Sequence, residues 1–584
     1  MRFFRTPLLL LMIAVFGCTR KDAEYANVLR VPVKADLKTL DPANAYDEVS
    51  LDILPNVMES LLQYRYLDEN MVLEPLLAES MPEVSKDGLT ARVKIRRGVR
   101  FQDDPCFRAN GGKGRELKAR DFIFAFKRLA IPAIQSQGAW IFQERVVGYK
   151  EFETKLKDRS GEEFKAAFED PIAGLTAPDD YTLEFKFTRP YPLLNYILAM
   201  TFTAPVPRES VETYGDRDGN LRDHPIGTGP FLLKSWEPGR RVVLSRNSNF
   251  QGTFPSEGSP SSRTRGLLGD AGKPIPFLDG VSFEIIPDES VRMARFQKRE
   301  LDLFEIMKDS AKAWILDSGR LKEEWNGTGV QLDTENSLVE YYVSFNVKDP
   351  VLKNKYLRQA ISSAIDRSRW IEGFEKGRGI PQDQLGPPGL MDRLPEAKVK
   401  YDFNLERARQ LLVKAGYPEG KGLPVLNFDF RGSENVHREL GEMFVQQLGM
   451  IGIRVNPVLN SFPAYLEKAK QGKMQISLGG WTFDYPDVEN GYQLLHGPNR
   501  APGPNDSNWE NPKFDELYLK IASTPPGAPG RQEWVRQAES LIQEEVPWAY
   551  GYFLRVAFLT QPRVRNHHTV LVIQNKYKYL RIEP

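Results

Sequence analysis

The stretch ISLGGWTFDYPDVENGYQLL, residues 476–495, joins a short apolar run to a cluster of aromatic and acidic side chains. The apolar run predicts a buried strand that loosens at Gly479 and Gly480. Trp481 and Asp484 follow at the strand exit, where an aromatic ring beside a carboxylate is typical of a binding pocket. The alternative interpretation is an ordinary turn, because Asp, Tyr-Pro and Asn-Gly are common turn formers.

Composition and charge limit the class of protein. The chain has 584 residues, of which 41% are hydrophobic and 27% are charged. These values are typical of a soluble globular protein, and the length predicts about three domains or one large composite domain. Lys and Arg number 79 against 78 for Asp and Glu, which gives a net charge of +1. A chain this close to neutrality indicates no basic face, so we expect no nucleic-acid partner.

The N-terminus has the composition of an export signal. Arg2 and Arg5 precede an apolar run at residues 8–16, which is too short to span a bilayer. A glycine and then Cys18 follow, and a Cys directly after a small residue resembles the lipobox of bacterial lipoproteins. The sequence therefore predicts a signal peptide at 1–18 and an extracytoplasmic protein of the periplasm or cell envelope, lipid-anchored to a membrane through Cys18. The alternative is plain secretion with Cys18 lost or free.

Hydrophobic periodicity predicts alternating strands and helices along the mature chain. Alternation or short apolar runs predict strands at residues 28–33, 91–95, 99–101, 181–187, 231–236, 242–246, 281–286, 341–346, 425–430 and 453–458. Apolar residues at helical spacing predict helices at 50–62, 119–129, 290–299, 355–374, 404–415 and 436–450. The polar segment 252–273, rich in glycine and serine, predicts a surface loop. The strand–helix–strand order at 425–458 is what a twisted α/β sheet needs.

Seven short motifs occur in a fixed order along the chain. They are Leu40-Asp41-Pro42, Arg97-Gly98-Val99-Arg100-Phe101, Ala119-Arg120-Asp121-Phe122, Ile226-Gly227-Thr228-Gly229-Pro230-Phe231, Leu357-Arg358-Gln359-Ala360, Ala364-Ile365-Asp366-Arg367 and Gly480-Trp481-Thr482-Phe483-Asp484. In this order they give the chain a resemblance to the family 5 extracytoplasmic solute-binding proteins over nearly its whole mature length. These proteins are the peptide-binding components of ABC importers, similar to the dipeptide- and oligopeptide-binding proteins.

The resemblance implies an α/β fold of the type II periplasmic-binding-protein class, a two-lobed clamshell with an extra accessory domain. It implies lobe I at 19–58, 202–307 and 546–584, the accessory domain at 59–201 and lobe II at 308–545. The ligand lies between the lobes, and closure requires contacts that favour the closed state. The implied function is capture of di- or oligopeptides and their delivery to permease subunits in the membrane. We expect a monomer that has no cofactor and is not an enzyme.

The resemblance also implies individual site residues. In peptide-binding members the Asp after Gly-Trp-x-x accepts the ligand's α-ammonium, and that position is Asp484. A cation removed from water needs such a countercharge. Gly480 and Thr482, on either side of Trp481, match positions whose backbone pairs with the peptide as a strand would. From lobe I, the segment after Leu-Asp-Pro approaches the ligand backbone, and it consists here of Ala45, Tyr46, Asp47 and Glu48.

Arg431 is the candidate for the ligand's carboxylate. Dipeptide-binding members have an Arg at a strand exit shortly before a helix, and Arg431 stands at that position. A guanidinium can hold a carboxylate by two parallel hydrogen bonds. The alternative is a surface or ion-pair arginine. The position that the oligopeptide-binding protein uses for this purpose is Leu478 here, which favours short peptides.

Other functions have less support in the sequence. The five histidines show no metal-ligand spacing, and no catalytic signature such as Gly-x-Ser-x-Gly occurs. Cys106 is interpreted as a loop residue and not as a catalytic thiol. An exported hydrolase that uses Asp484 and Asp487 remains as an alternative from another class. Within the binding class, the same scaffold also carries nickel chelates, haem and oligosaccharides.

Overall fold

The computed structural model describes residues 27–307, 310, 314, 320–432, 434–569, 572 and 575–583. The predicted signal peptide and Cys18 lie outside these described residues. Among the residues that are described, no helix is both long enough and apolar enough to cross a membrane.

Lobe I is built on a four-stranded sheet. Its strands in spatial order are Val28–Val33, Gly280–Ile285, Arg241–Arg246 and Phe231–Glu237. The first two pair in parallel, and the last two form the predicted antiparallel hairpin. Gly239 lies in its turn with a φ of 71°, a conformation that favours glycine. The four strands predicted here are confirmed to within one residue at each end.

A second four-stranded sheet lies in the segment predicted as the accessory domain. It is antiparallel, in the order Glu83–Val84, Thr90–Lys94, Thr182–Lys186 and Leu175–Asp179. The longer helices of this segment are Ala119–Arg128, Tyr149–Leu156 and Gly161–Glu169. The buried apolar side chains of this segment and of lobe I form one continuous cluster. The two parts therefore share a core.

A buried ion pair also joins these two parts. Arg128, at the end of its helix, donates to both carboxylate oxygens of Asp41, at 3.0 and 2.6 Å. Both side chains are almost completely buried. The backbone N–H groups of Ala43 and Leu221 donate to the same carboxylate, as a buried charge requires. The aspartate of the Leu-Asp-Pro motif thus has a structural role, a few residues before Tyr46 in the chain.

Lobe II is built on a seven-stranded mixed sheet. Six strands follow one another in space as Leu303–Glu305, Trp548–Thr560, Gln331–Phe345, Ile476–Thr482, Leu426–Phe430 and Val455–Leu459, and Gly379–Pro381 pairs with the second of these. Buried apolar clusters pack on this sheet. Two of its strands, at 303–305 and 548–560, lie in ranges predicted for lobe I. This sheet therefore includes residues from both predicted lobes. The division of the chain into lobes stays a prediction.

The longer helices of lobe II are Leu405–Lys414, Asn435–Gly449, Phe462–Lys470, Pro512–Ala522 and Arg531–Glu545. The prediction of one helix over 355–374 is wrong, because the segment divides into Lys355–Ala364 and Arg367–Trp370. Asp366 between them has an extended backbone, and its side chain accepts from the N–H of Arg369 at 3.0 Å. An aspartate in this position begins a new helix.

Three further predictions of local structure need correction. The helix predicted at 50–62 is shorter, because Glu48–Ile53 is followed by a 3₁₀ turn at Leu54–Asn56 that contains a proline. The strand predicted at 99–101 is reduced to one isolated bridge. The loop predicted at 252–273 contains a short helix, Pro260–Thr264. The other helices of lobe I and its neighbouring segment are Leu194–Ile197, Arg208–Tyr214 and Glu289–Gln297.

The strand of the opening motif does not loosen at its glycines, as the sequence predicts, but continues to Thr482. The glycines are needed because aromatic rings lie against them. A Cβ atom at Gly479 would lie 2.1 Å from the ring of Tyr342, and one at Gly480 would lie 2.8 Å from the ring of Tyr341. Neither position has room for a side chain.

Candidate functional site

The strand Ile476–Thr482 has one fully paired edge. Residues 339–345 pair with its whole length in antiparallel fashion. On the other side, the strand Leu426–Phe430 pairs only with Ile476 and Ser477. No other strand of the described chain pairs with residues 478–482 on that side. The strand therefore ends in an open edge, which a further extended chain can join.

Gly480 and Thr482 both present backbone groups to this open edge. The carbonyl oxygen of Gly480 faces it, since it accepts from the guanidinium of Arg431 at 3.4 Å. Backbone groups alternate in direction along a strand, so those of Thr482 point to the same side. The side chain of Thr482 is exposed. The structure thus gives the two predicted positions the geometry that strand-like pairing requires.

Arg431 lies directly after the strand Leu426–Phe430, beside the open edge. Its guanidinium carbon lies 5.2 Å from the centre of the Tyr341 ring, which supports it by a cation–π contact. Among the described residues, no carboxylate lies within 4 Å of this guanidinium. The ion-pair interpretation of Arg431 therefore finds no partner there. Tyr341 is a neighbour that the sequence did not identify, because it appeared only as part of an alternating strand.

Asp484 lies just beyond the same strand and is half-buried. Its Oδ1 accepts from the hydroxyl of Tyr46 at 2.8 Å, and its Oδ2 accepts from the side-chain amide of Asn490 at 3.2 Å. Burial raises the pKa of Asp484, although both hydrogen bonds oppose this shift. No lysine or arginine of the described residues forms an ion pair with its carboxylate. Neutral donors occupy one acceptor position on each oxygen of the carboxylate, and they leave its charge uncompensated.

The predicted segment Ala45, Tyr46, Asp47 and Glu48 divides into different roles. Tyr46 reaches Asp484 and stacks on Phe202 with ring centres 5.8 Å apart. Ala45 is completely buried, so it offers no side-chain surface to a ligand. Asp47 caps the following helix by accepting from the N–H of Ser50 at 3.0 Å. Glu48 forms an ion pair at 2.6 Å with a lysine of lobe I. Of the four side chains, only that of Tyr46 is directed at Asp484.

Trp481, the aromatic residue predicted to line the pocket, is only partly exposed. Its ring is half-buried and packs against an apolar cluster of lobe II. Its indole N–H donates to the side-chain oxygen of Asn490 at 2.8 Å. The sequence suggested only a turn at Asn490-Gly491, whereas the structure has a short helix, Glu489–Tyr492. No periodicity in the chain signals that Asn490 joins Trp481 and Asp484.

The acidic residues that follow Asp484 in the chain lie in the protein interior. Asp487 is fully buried and forms an ion pair with Arg531 at 2.6 Å. Arg531 is also fully buried and pairs with Asp392 as well. Glu489 is buried between two tyrosine hydroxyl groups, and burial raises its pKa. These carboxyl groups belong to the interior of lobe II and are not available to a ligand in the cleft.

Comparison with known proteins agrees with this architecture. A family model described as bacterial extracellular solute-binding proteins, family 5, matches residues 72–503. The "Dipeptide-binding protein" of Escherichia coli is 26% identical over 479 residues, which are 81% of this chain and 79% of the relative. "Heme-binding protein A" of Haemophilus influenzae is 25% identical over 490 residues, which are 82% of this chain and 78% of the relative.

Solved structures share the fold. The periplasmic binding protein DppA from Helicobacter pylori, in complex with the peptide STSA, superposes with a TM-score of 0.72 at 21% identity and covers 95% of this chain and 98% of its own. HbpA2 from Haemophilus parasuis gives a TM-score of 0.71 at 21% identity, with 95% and 100% covered. The predicted two-lobed α/β clamshell of type II is confirmed. Because the family model matches most of its length, the chain belongs to family 5 of the bacterial extracellular solute-binding proteins.

Proposed function

We propose that the chain is the substrate-binding component of an ABC importer, which captures short peptides between its lobes and delivers them to permease subunits in the membrane. The open strand edge at Gly480 and Thr482, with Arg431 beside it and Asp484 beyond it, carries this proposal. A peptide can extend such an edge through its backbone. Its charged ends then need groups of opposite sign, which Asp484 and Arg431 supply.

The spacing of the two charged groups favours a short ligand. Gly480, which contacts Arg431, and Asp484 are four positions apart in the chain. Their backbones are therefore separated by at most roughly 14 Å. An extended peptide adds roughly 3.4 Å per residue, so peptides of about two to four residues fit between the groups. Such a ligand runs antiparallel to the strand, with its ammonium group at Asp484.

The names of similar proteins support peptides and also supply the main alternative. The Escherichia coli relative is named for dipeptides, and the Helicobacter pylori structure holds the peptide STSA. The Haemophilus influenzae relative is named for haem, and nickel chelates and oligosaccharides are the further alternatives within the binding class. Among the described residues, Asp484 has no ion-pair partner and neither does Arg431. Such a pair of groups suits a zwitterion better than it suits any of these alternatives.

A hydrolase is disfavoured by the surroundings of its candidate groups. Asp487 is fully buried in its ion pair with Arg531, so it cannot act as a base in the cleft. The thiol of Cys106 is buried, and burial raises its pKa, which keeps it protonated. The family to which the chain belongs is one of binding proteins. We therefore assign no catalytic step and no cofactor to the chain.

The remaining features complete the proposal. Trp481 and the backbone of the segment Ala45, Tyr46, Asp47 and Glu48 line the rest of the ligand site, and Tyr46 supplies the side-chain contact from lobe I. The lobes comprise 19–58, 202–307 and 546–584 for lobe I and 308–545 for lobe II, with an accessory domain at 59–201.

Cys18 carries a lipid that anchors an extracytoplasmic monomer to a membrane. Replacing Cys18 by alanine in the full chain should move the protein from the membrane fraction to the soluble fraction of its host cells.

Calorimetry with a defined ligand panel tests the proposed function. The panel contains a dipeptide, a tripeptide, the N-acetyl and C-amide forms of the dipeptide, and haemin. We expect one-to-one binding of the free peptides, much weaker binding of the two blocked forms, and no products by mass spectrometry. Native mass spectrometry of the purified protein should also detect co-purified short peptides. Binding of haemin without binding of any peptide would overturn the proposal, and so would release of amino acids.

A further inference from the structure

Asn490 belongs to the short helix Glu489–Tyr492, which follows the loop that carries Asp484, and it is completely buried. Its side-chain oxygen accepts from the indole N–H of Trp481 at 2.8 Å and from the backbone N–H of Asp484 at 3.1 Å. Its side-chain nitrogen donates to Oδ2 of Asp484 at 3.2 Å. We propose that Asn490 is a positioning residue, which fixes the Asp484 carboxylate in the orientation that recognises a primary amine.

This role requires the particular chemistry of a carboxamide. One oxygen must accept two hydrogen bonds, and one nitrogen on the same planar group must donate a third. An aspartate at 490 has the right shape but lacks the donor unless it is protonated. A leucine has a similar volume but supports none of the three bonds. Loss of the group would leave the indole N–H of Trp481 and the backbone N–H of Asp484 without these acceptors.

The hydrogen-bond arrangement leaves defined acceptor positions for the amine. Each carboxylate oxygen can accept two hydrogen bonds. Oδ1 of Asp484 uses one position for Tyr46, and Oδ2 uses one for Asn490. One position therefore remains on each oxygen. Since Asn490 also holds the backbone at Asp484, the carboxylate cannot rotate freely, and less entropy is lost when an ammonium group binds.

The inference rests on the proposed function, because it assigns an orienting group to the same amine site. Its test uses Asn490→Leu, which removes all three bonds, and Asn490→Asp, which can restore them when protonated. Two carboxyl groups this close resist double ionisation, so the pair in Asn490→Asp takes up a shared proton as the pH falls. A matched control is Asn505→Asp, which changes another completely buried asparagine of lobe II that holds two backbone carbonyls of its own loop.

The readout is amine discrimination, defined as the Kd of an N-acetyl dipeptide divided by the Kd of the free dipeptide, measured by calorimetry at pH 6. We expect Asn490→Leu to lower this ratio roughly 10- to 100-fold, the range for a lost hydrogen bond to a charged group. In Asn490→Asp the ratio, relative to the wild type at the same pH, should rise as the pH falls from 7 to 5 and the shared proton restores the donor. Asn505→Asp should keep the ratio within about threefold of the wild type. Melting temperatures of all variants report any general loss of structure.

The possible outcomes separate this inference from the proposed function. An unchanged ratio in Asn490→Leu overturns the inference, whether both affinities are kept or both fall by the same factor. If Asn490→Leu does not fold, Asn490→Asp decides: a ratio relative to the wild type that does not change between pH 7 and pH 5 overturns the inference. Asp484→Asn serves as the reference variant. If Asp484→Asn also leaves the ratio unchanged, the amine site itself is wrong, and the proposed peptide-binding mode fails with it.

Discussion

Replacing Asp484 by asparagine tests binding separately from stability. The substitution keeps the shape of the side chain and removes its negative charge. The hydroxyl of Tyr46, which donates to Asp484 at 2.8 Å, can instead accept from the new amide. Asn490, which donates at 3.2 Å, can still donate to the remaining oxygen. The neighbours of residue 484 therefore stay satisfied, and only the electrostatic term changes.

Two effects of opposite sign follow from this change. Loss of one partner from a desolvated charge pair costs about 2–5 kcal/mol of binding free energy. At about 1.4 kcal/mol for each factor of ten, the Kd of a dipeptide should rise about 30- to 4,000-fold. The unliganded fold should gain stability, because burial raises the pKa of Asp484 and so disfavours its charged form. We expect an equal or higher melting temperature at pH 7.

Titration calorimetry with a free dipeptide and its N-acetyl form measures the first effect, and scanning calorimetry measures the second. Glu539→Gln is the matched control, since burial raises the pKa of Glu539 to about 7 in the same lobe. This variant should also gain stability at pH 7 but should keep its affinity. A Kd for Asp484→Asn within threefold of the wild type would refute the assignment of Asp484. An equal loss of affinity for the N-acetyl peptide would do the same.

Three further predictions concern the edge, the core and the strand. Arg431→Lys loses the paired donors of the guanidinium. Calorimetry should therefore show about a tenfold higher Kd for the free dipeptide and an unchanged Kd for its C-terminal amide. Burial raises the pKa of Glu340 to about 8; its contribution to stability is complete below about pH 4.5 and is lost as the pH rises towards 8. Denaturant unfolding at pH 5 and 8 should therefore show a smaller difference in Glu340→Gln than in the wild type, and an equal difference would contradict the argument. A Cβ at Gly479 would lie 2.1 Å from the Tyr342 ring, whereas one at Gly449 meets nothing within 4 Å. Gly479→Ala should cost about 1–3 kcal/mol, and Gly449→Ala should cost nothing in the same unfolding assay.

The sequence predicted those elements whose pattern is complete within their own residues. The hairpin at 231–246 and the helix Leu405–Lys414 agree with the prediction, because alternation and helical spacing are local signals. The strand Gln331–Phe345 was predicted only at its end, since its first part is polar and owes its conformation to pairing with Trp548–Thr560. Tertiary pairing of this kind leaves no trace in a short window of sequence. The helix prediction at 355–374 failed because a capping aspartate interrupts its apolar stripe.

The site was predictable as a set of positions but not as a set of contacts. The family resemblance identified Asp484, Gly480 and Arg431, and their roles in binding stay predictions. Tyr46 was named only as part of a segment, and it lies 438 residues from Asp484 in the chain. Contacts over such a distance depend on how the lobes meet, which a local pattern does not contain. Asn490 was interpreted as a turn former because its partners are visible only in three dimensions.

Asp484 and Asp487 illustrate why a short motif does not determine chemistry. They occur three positions apart on one loop, yet their environments are opposite in kind. Asp487 is neutralised by Arg531, a buried cation that lies 44 residues away in the chain. From the described residues, Asp484 receives a phenol hydroxyl and an amide on its carboxylate, which are neutral donors. A buried carboxylate that is already paired gains little from a second cation, whereas an unpaired one gains a full charge interaction. Asp487 therefore has its countercharge inside the fold, and the proposed role of Asp484 follows from the lack of such a countercharge among the described residues.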